Sequence, residues 1–206
     1  MIFKNLIRIL KSYRFSLIKI IFFELLYLIK GHKGNKFTFS KSDTFADNIP
    51  CPYYFLYKIK KKIRTADFKV FLDLGCGSGR VIDFFNKNLQ NKNFIGIEHA
   101  EEQFSYCNEN FKTFKNIKVI QANFLEFDFL QYNADCYFLN QPIKDDTILI
   151  EILKKIVNSK HLKKNIFLIL VNCSDSILKS LENIQCIERF YLNDKRGFSI
   201  YCIGNK

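Results

Sequence analysis

No apolar stretch in this chain of 206 residues is long enough to cross a bilayer. The longest unbroken runs are Ile20–Phe23 and Leu25–Ile29, against the roughly 18–20 residues a spanning helix needs. No small-residue cleavage site follows them; Lys30-Gly31-His32-Lys33-Gly34 stands there instead, so a secretory signal peptide is not expected. The seven cysteines, at positions 51, 76, 107, 136, 173, 186 and 202, are odd in number and include no C-x-x-C pair. That pattern excludes a disulfide framework and a cysteine zinc site, and it points to a reducing compartment. The three histidines, His32, His99 and His161, are too scattered for a metal cluster, and no metal is expected. Tryptophan is absent.

Apolar side chains are plentiful all the same: 48% of residues are hydrophobic and 23 are Phe. That supplies a full core and excludes global disorder. The length suits one domain plus an extension. The net charge of +12 is unevenly placed: residues 1–69 carry 15 Lys and Arg against 4 Asp and Glu, whereas residues 70–206 carry 17 against 16. A segregated positive field suits a membrane surface, a nucleic acid or an acidic protein; it also serves simply to keep an apolar segment soluble.

Residues 1–30 read as an amphipathic helix. Lys4, Asn5, Arg8, Lys11, Ser12, Ser16, Lys19 and Lys30 fall within an arc of roughly 140°, and most of the remainder is apolar; Arg14 and Glu24 break the pattern. Two readings stay open. The helix lies in a membrane interface with its basic stripe toward anionic headgroups, or it packs its apolar face on the domain or on a second copy. The expected location is cytoplasmic, with peripheral attachment at the inner membrane surface under the first reading. Residues 31–50 are a polar connector, which divides the chain into an extension, 1–49, and a domain, 50–206.

A helix is predicted over Tyr53–Arg64, after Pro50 and Pro52. Strands are predicted at Val70–Leu74, Phe94–Glu98, Ile117–Gln121, Cys136–Asn140 and Ile166–Val171, with helices at Gly79–Leu89, Glu101–Phe111, Asp145–Asn158 and Ser174–Asn183. Such alternation builds an α/β fold, a parallel sheet with helices on both faces. At the end, Cys186–Leu192 and Phe198–Ile203 leave no room for a helix between them and must form an antiparallel hairpin.

Three of the eight glycines, Gly75, Gly77 and Gly79, fall between the first strand and the first helix of this series. Glycines there let the chain turn tightly and let a ligand approach without meeting a Cβ. The helix start favours an anionic group. The spacing is G-x-G-x-G, and Arg80 stands where a dinucleotide loop has its third glycine; the Gly-Lys-Ser/Thr of a P-loop is also missing. Asp73, just before the loop, repels phosphates but suits an ammonium group. Glu98 ends the second strand, 23 residues after Gly75, where a carboxylate can accept both hydroxyls of a ribose.

Phe71-Leu72-Asp73-Leu74-Gly75-Cys76-Gly77-Ser78-Gly79-Arg80 followed by Ile95-Gly96-Ile97-Glu98 resembles the class I S-adenosylmethionine-dependent methyltransferases over roughly residues 50–206. The resemblance implies a Rossmann-like, doubly wound seven-stranded sheet of order 3-2-1-4-5-7-6, with the final hairpin supplying strands six and seven. It implies S-adenosylmethionine as cofactor, held at its methionine end by Asp73 and the backbone of Gly75, Cys76, Gly77 and Gly79. Glu98 would take the ribose, with His99 beside the adenine. Asn123 and Phe124 would stand by the adenine amino group, Asn123 in place of the usual acid. Phe138-Leu139-Asn140-Gln141-Pro142-Ile143 partly resembles the Asn-Pro-Pro-Tyr motif of amino-group methyltransferases, with Gln141 and Ile143 departing from it. The Gly79-Arg80-Val81 continuation and this strand end also resemble small bacterial methyltransferases distantly similar to Dot1-like and mitochondrial-type lysine methyltransferases.

Methyl transfer from a sulfonium asks chiefly for orientation of the acceptor. Asn140, at the carboxyl end of a central strand, is placed to align an acceptor amine, or is only a strand-end turn residue. Tyr54, with Tyr53, either lines the acceptor pocket or packs beside Pro52. The run Lys58-Ile59-Lys60-Lys61-Lys62-Ile63-Arg64 offers contacts for phosphate, without a nucleic-acid motif beside it. The activity expected is methyl transfer to nitrogen or oxygen of a protein side chain or small molecule. The alternatives are a non-catalytic cofactor-binding membrane adapter and a basic methyltransferase acting on RNA or DNA.

Overall fold

From Val70 onward, strand-forming and helix-forming runs alternate, and in a computed structural model they build one seven-stranded sheet. The structure describes residues 17–33, 44–47, 49–158, 165–173, 177–178, 181, 184–193 and 196–204. Helix α1 covers residues 17–29. Then come α2 (Tyr53–Ile63), β1 (Val70–Leu74), α3 (Arg80–Asn88), β2 (Asn93–Glu98), α4 (Glu101–Phe111) and β3 (Ile117–Gln121). A 3-10 turn over Phe129–Tyr132, which the sequence did not suggest, precedes β4 (Cys136–Asn140), α5 (Asp146–Asn158), β5 (Ile166–Val171), β6 (Ile184–Asn193) and β7 (Arg196–Ile203).

The sheet order is β3-β2-β1-β4-β5-β7-β6, as the family resemblance implied. Strands β1 to β5 run parallel, while β7 lies antiparallel between β5 and β6. The boundaries differ from expectation by small amounts. Gly79 caps α3 rather than opening it, because its backbone is left-handed. The hairpin strands are longer than their apolar cores, with irregular register at Cys186/Glu188 and Tyr191/Asn193. Most of the helix predicted at Ser174–Asn183 lies outside the described residues.

Alternation along the central strands feeds two cores. Phe71, Cys136 and Phe138 point to one face and pack with α2, α3 and Tyr27 of α1. Leu72, Leu74, Tyr137 and Leu139 point to the other and pack with α5 and Phe129. Both faces are covered, which is why β1 and β4 read as continuous apolar runs. The strand order reverses between β1 and β4, and ligands of open α/β sheets bind in the crevice at that reversal, beyond the carboxyl ends of the strands.

Helix α1 belongs to the first core. Tyr27 stacks on Tyr53 at 4.9 Å and meets Phe84 at 5.2 Å, while Phe23 packs on Tyr57 at 4.8 Å. The segment after it is tethered to α3, where Asp83 Oδ2 accepts from the Lys33 N–H at 3.1 Å and lies 2.6 Å from His32 Nδ1. No helix among the described residues is long and apolar enough to cross a membrane.

Candidate cofactor site

The glycine loop leaves β1 at the sheet's reversal point and is tied to β2. The N–H groups of Gly75 and Cys76 both donate to the Ile97 carbonyl, at 2.9 and 3.0 Å. Gly75 and Gly79 both adopt left-handed φ, +78° and +89°. A Cβ on Gly75 would meet Pro142 Cβ at 3.0 Å, and one on Gly79 would meet Phe111 Cε2 at 2.5 Å and Cys107 Sγ at 2.8 Å. The loop therefore runs between the β4–α5 connection on one side and α4 on the other, with no room for a side chain at either glycine. Cys76 is buried, 3.9 Å from Cys107 by sulfur to sulfur. The contact with Cys107 and then burial push its thiol well up, so it packs as a neutral group.

Asp73 is 2% exposed, and no hydrogen bond reaches its Oδ2 atom. Burial first, and then the charge of Glu98, hold its carboxyl well above the usual carboxylate range. A buried carboxylate oxygen lacking a donor costs about 1–3 kcal/mol or more, and an ammonium would satisfy it. Glu98 braces the loop from β2. Its Oε2 accepts from the Gly77 N–H at 2.8 Å and its Oε1 from the Ala100 N–H at 2.9 Å, joining the loop to the start of α4.

The other predicted residues gather along the same rim. His99 is exposed, and its ring lies 4.4 Å from that of Phe45, at an interplanar angle of 31°. Phe45 in turn meets Phe124 edge-on at 5.0 Å. Asn123 closes a turn, its Oδ1 accepting from the Leu125 N–H at 3.1 Å while its Nδ2 donates to Glu126 at 3.2 Å. Asn140 sits at the end of β4. Its Nδ2 donates to the Ile49 carbonyl at 2.9 Å, and its Oδ1 accepts from Asn172 Nδ2 at 3.1 Å. Gln141 and Asn172, the residues just beyond β4 and β5, both hold left-handed φ, 42° and 56°. For side-chain-bearing residues that conformation is uncommon and clusters at functional sites.

Tyr54 is not brought to the loop. Its ring packs between Phe23, Phe55 and Phe190, over the final hairpin, and burial raises its hydroxyl pKa. The lysines of α2 are also engaged internally. Lys58 lies 4.1 Å from the Phe190 ring centre, Lys60 donates to Asn88, Lys61 lies over Tyr57 and Lys62 pairs with Glu188.

Three contributors were missed from sequence. Phe45 lies in the stretch that reads as a polar connector, yet residues 44–46 pair with the β4–α5 connection. Phe45 bridges Ile143, the Ala46 N–H donates to the Pro142 carbonyl at 3.1 Å, and the Lys144 N–H donates to Thr44 at 3.0 Å. Arg80, which from sequence marks a departure from the dinucleotide pattern and part of the Gly79-Arg80-Val81 continuation, donates through Nη1 to Glu24 at 2.9 Å and to the Cys51 carbonyl at 3.1 Å, and lies 4.4 Å over the Tyr53 ring. Glu24 also accepts from the Tyr53 N–H at 2.9 Å, capping α2. The available signal was Glu24 itself, a single acid set in an apolar helix.

A sheet of this order, with a glycine loop at the β1 exit and an acid at the β2 exit, defines the class I S-adenosylmethionine-dependent methyltransferase fold. The sequence profile of the methyltransferase-domain family matches residues 66–196, and the chain belongs to that family. Part of it is 33% identical, over 78 residues, to a protein of Archaeoglobus fulgidus described as a probable cobalt-precorrin-6B C(15)-methyltransferase (decarboxylating). That match spans 38% of this chain and 45% of the relative's length.

Solved structures with a similar fold include the N-methyltransferase NodS of Bradyrhizobium japonicum in complex with S-adenosylhomocysteine (TM-score 0.57, 10% identity, 71% of this chain and 84% of that one). A S-adenosylmethionine-dependent methyltransferase of Clostridium acetobutylicum gives TM-score 0.56 at 12% identity, over 73% of this chain and 91% of that one. The mitomycin 7-O-methyltransferase MmcR gives 0.57 at 10%, over 73% and 53%. At such identities the likeness is one of fold.

S-adenosylmethionine is the cofactor of this family, and the residues fit it. Asp73 presents a buried carboxyl oxygen with no hydrogen-bond partner, which an ammonium would satisfy, and Gly75 and Gly79 let the loop turn tightly against Pro142, Phe111 and Cys107. Among the described residues, no group of three His, Cys, Asp or Glu side chains is placed to hold a metal ion.

Proposed function

We propose that residues 50–206 transfer a methyl group from S-adenosylmethionine to a nitrogen or oxygen atom of a small molecule or protein side chain. The observation that carries this is the buried Asp73 carboxyl with an unpartnered oxygen, beside a tight loop turned at Gly75 and Gly79 and braced by Glu98. The cofactor supplies an electrophilic methyl on a sulfonium, so the chain's work is to bind and orient. Asp73 and the Gly75–Gly79 backbone, Cys76 included, hold the amino-acid end. Glu98 takes the ribose by exchanging its bond to Gly77. His99, Asn123, Phe124 and Phe45 enclose the adenine. Asn140 presents its amide at the acceptor side, held by Ile49 and Asn172. Tyr54 is left with a packing role by its contacts.

Residues 1–49 form an extension that this reading pairs with an anionic membrane surface, which would place the reaction at the cytoplasmic side of a bilayer. Nucleic acid is the weaker partner, because the α2 lysines are used within the chain. The test is a calorimetric titration with S-adenosylmethionine and S-adenosylhomocysteine, on the wild type and on Asp73→Ala and Glu98→Ala. Micromolar binding lost in both variants is expected. A folded wild-type protein that binds neither ligand sinks the proposal. Transfer of labelled methyl groups to components of a cell extract then separates an enzyme from a non-catalytic adapter.

A further inference from the structure

Helix α1 is apolar on two sides, and the domain covers only one. The inner side, Ile20, Phe23, Leu26 and Tyr27, packs into the first core. The outer side carries Ile18, Ile21, Phe22, Leu25, Leu28 and Ile29, exposed by 49% at Leu28 to 85% at Ile29. At helical spacing these six side chains fall within an arc of about 120°. They account for half of the twelve large hydrophobic side chains that are exposed among the described residues. A contiguous apolar stripe of this kind on a protein surface marks a place of association.

We propose that this outer face of α1 is a docking surface for an anionic lipid bilayer. Charge selects the occupant. Lys19 is exposed on the same helix while Lys30 lies over the Tyr27 ring, and residues 1–42 hold nine Lys and Arg against a single acid, Glu24, which turns inward to Arg80 and the start of α2. No carboxylate of α1 therefore faces outward. A second copy meeting the same face would set a region of 15 basic and 4 acidic residues against its own like. A nucleic acid would take the lysines and leave the six apolar side chains in water. An anionic bilayer takes both, the stripe entering the acyl boundary and the lysines reaching headgroup phosphates.

The inner contacts fix the geometry. Glu24 to Arg80, and Asp83 to Lys33, hold α1 against α3, so the helix lies flat rather than peeling away. Arg80 directly follows the glycine loop, so the site would stand about one helix diameter, roughly 10 Å, from the headgroups. The inference rests on the proposed methyl transfer only for what docking serves, namely reaching acceptors carried at the bilayer.

The test is flotation of the full chain with vesicles of phosphatidylcholine plus phosphatidylglycerol, beside vesicles of phosphatidylcholine alone. The wild type is expected to float with the anionic vesicles and to lose binding as salt rises. Ile21→Gln together with Leu25→Gln is expected to weaken partitioning about 100-fold, about tenfold for each apolar side chain removed, with unchanged thermal unfolding. Wild-type protein that stays at the bottom of the gradient overturns the proposal, as does double-variant protein that floats like the wild type. A stable wild-type dimer that the same substitutions dissociate would assign the face to a second copy and overturn it too. Titration with S-adenosylhomocysteine in solution, on the same samples, keeps the two ideas apart. Binding without flotation sinks the docking alone, and flotation without binding sinks the methyltransferase reading alone.

Discussion

The proposed cofactor side and the proposed acceptor side of this site are built from chain in different ways. On the cofactor side, Asp73, the glycines and Glu98 lie within 26 residues of one another and meet through two adjacent parallel strands. On the proposed acceptor side, Ile49, Asn140, Asn172 and Gly197 come from four distant stretches; Asn140 bonds Ile49 and Asn172 once each, and Asn172 bonds Gly197 twice, at the ends of β4, β5 and β7. The first arrangement suits a ligand common to a whole family. The second can be altered one contact at a time, which suits the part of an enzyme that must differ between substrates.

The comparison can be broken or sharpened by substitution. Gly79→Ala should do most damage, since its Cβ would overlap Phe111 and Cys107 in a left-handed backbone. A loss of about 3 kcal/mol, seen as a fall of roughly 6–12 °C in unfolding temperature, is expected along with lost cofactor binding. Asp73→Asn should weaken S-adenosylhomocysteine binding about 100-fold in calorimetry, as expected for a charged hydrogen bond.

The same variant should have the opposite effect on the unliganded protein. The Asp73 carboxyl is raised by burial and by Glu98, so the native state keeps a proton that the unfolded chain releases. Stability is therefore lost as pH climbs from the ordinary carboxylate range through the raised value. Asp73→Asn should remove that slope and unfold at a higher temperature at neutral pH, with no advantage in acid. Equal slopes for both proteins would mean that Asp73 is not strained by its site.

Asn140→Ala tests the division directly. Cofactor affinity should stay within about twofold, while transfer of labelled methyl falls about 100-fold through lost alignment of the acceptor. Parallel losses of affinity and transfer would erase the distinction between the two sides. Phe45→Ala should cost about tenfold in S-adenosylhomocysteine affinity through lost stacking, with recovery in Phe45→Tyr. Smallest of all, Tyr54→Phe should leave affinity and transfer within about twofold, because the ring packs away from the loop.

What could be read from sequence follows from how far apart the contributing residues lie. Strands β4 and β5 were legible because both faces are buried and their apolar runs are nearly unbroken, β3 because Ile117, Val119 and Ile120 are strand-forming residues between helical runs, and the glycine loop because a strand precedes it and a helix follows. Phe45 was not legible. Its neighbours are polar, and it reaches the site only by pairing with Ile143, about a hundred positions onward. Helix α1 gave two readings, packing or interfacial, because its apolar arc is wider than one partner can cover. The structure divides that arc, with Tyr27 and Phe23 inside and Ile18, Ile21, Phe22, Leu25, Leu28 and Ile29 outside. Glu24 broke the pattern on paper because its carboxylate answers Arg80, a residue 56 positions away.

The Glu24–Arg80 pair also decides how this gene can be cut and rejoined. A boundary at residue 50 divides the sequence well by composition, yet a fragment starting there would leave Arg80 without its carboxylate, α2 without its cap, and Tyr53 and Phe84 stripped of Tyr27. The transferable cassette is therefore longer than the 66–196 stretch shared with the family. A functional fusion, whether made by recombination or at the bench, has its junction upstream of residue 17, where the described part of α1 begins.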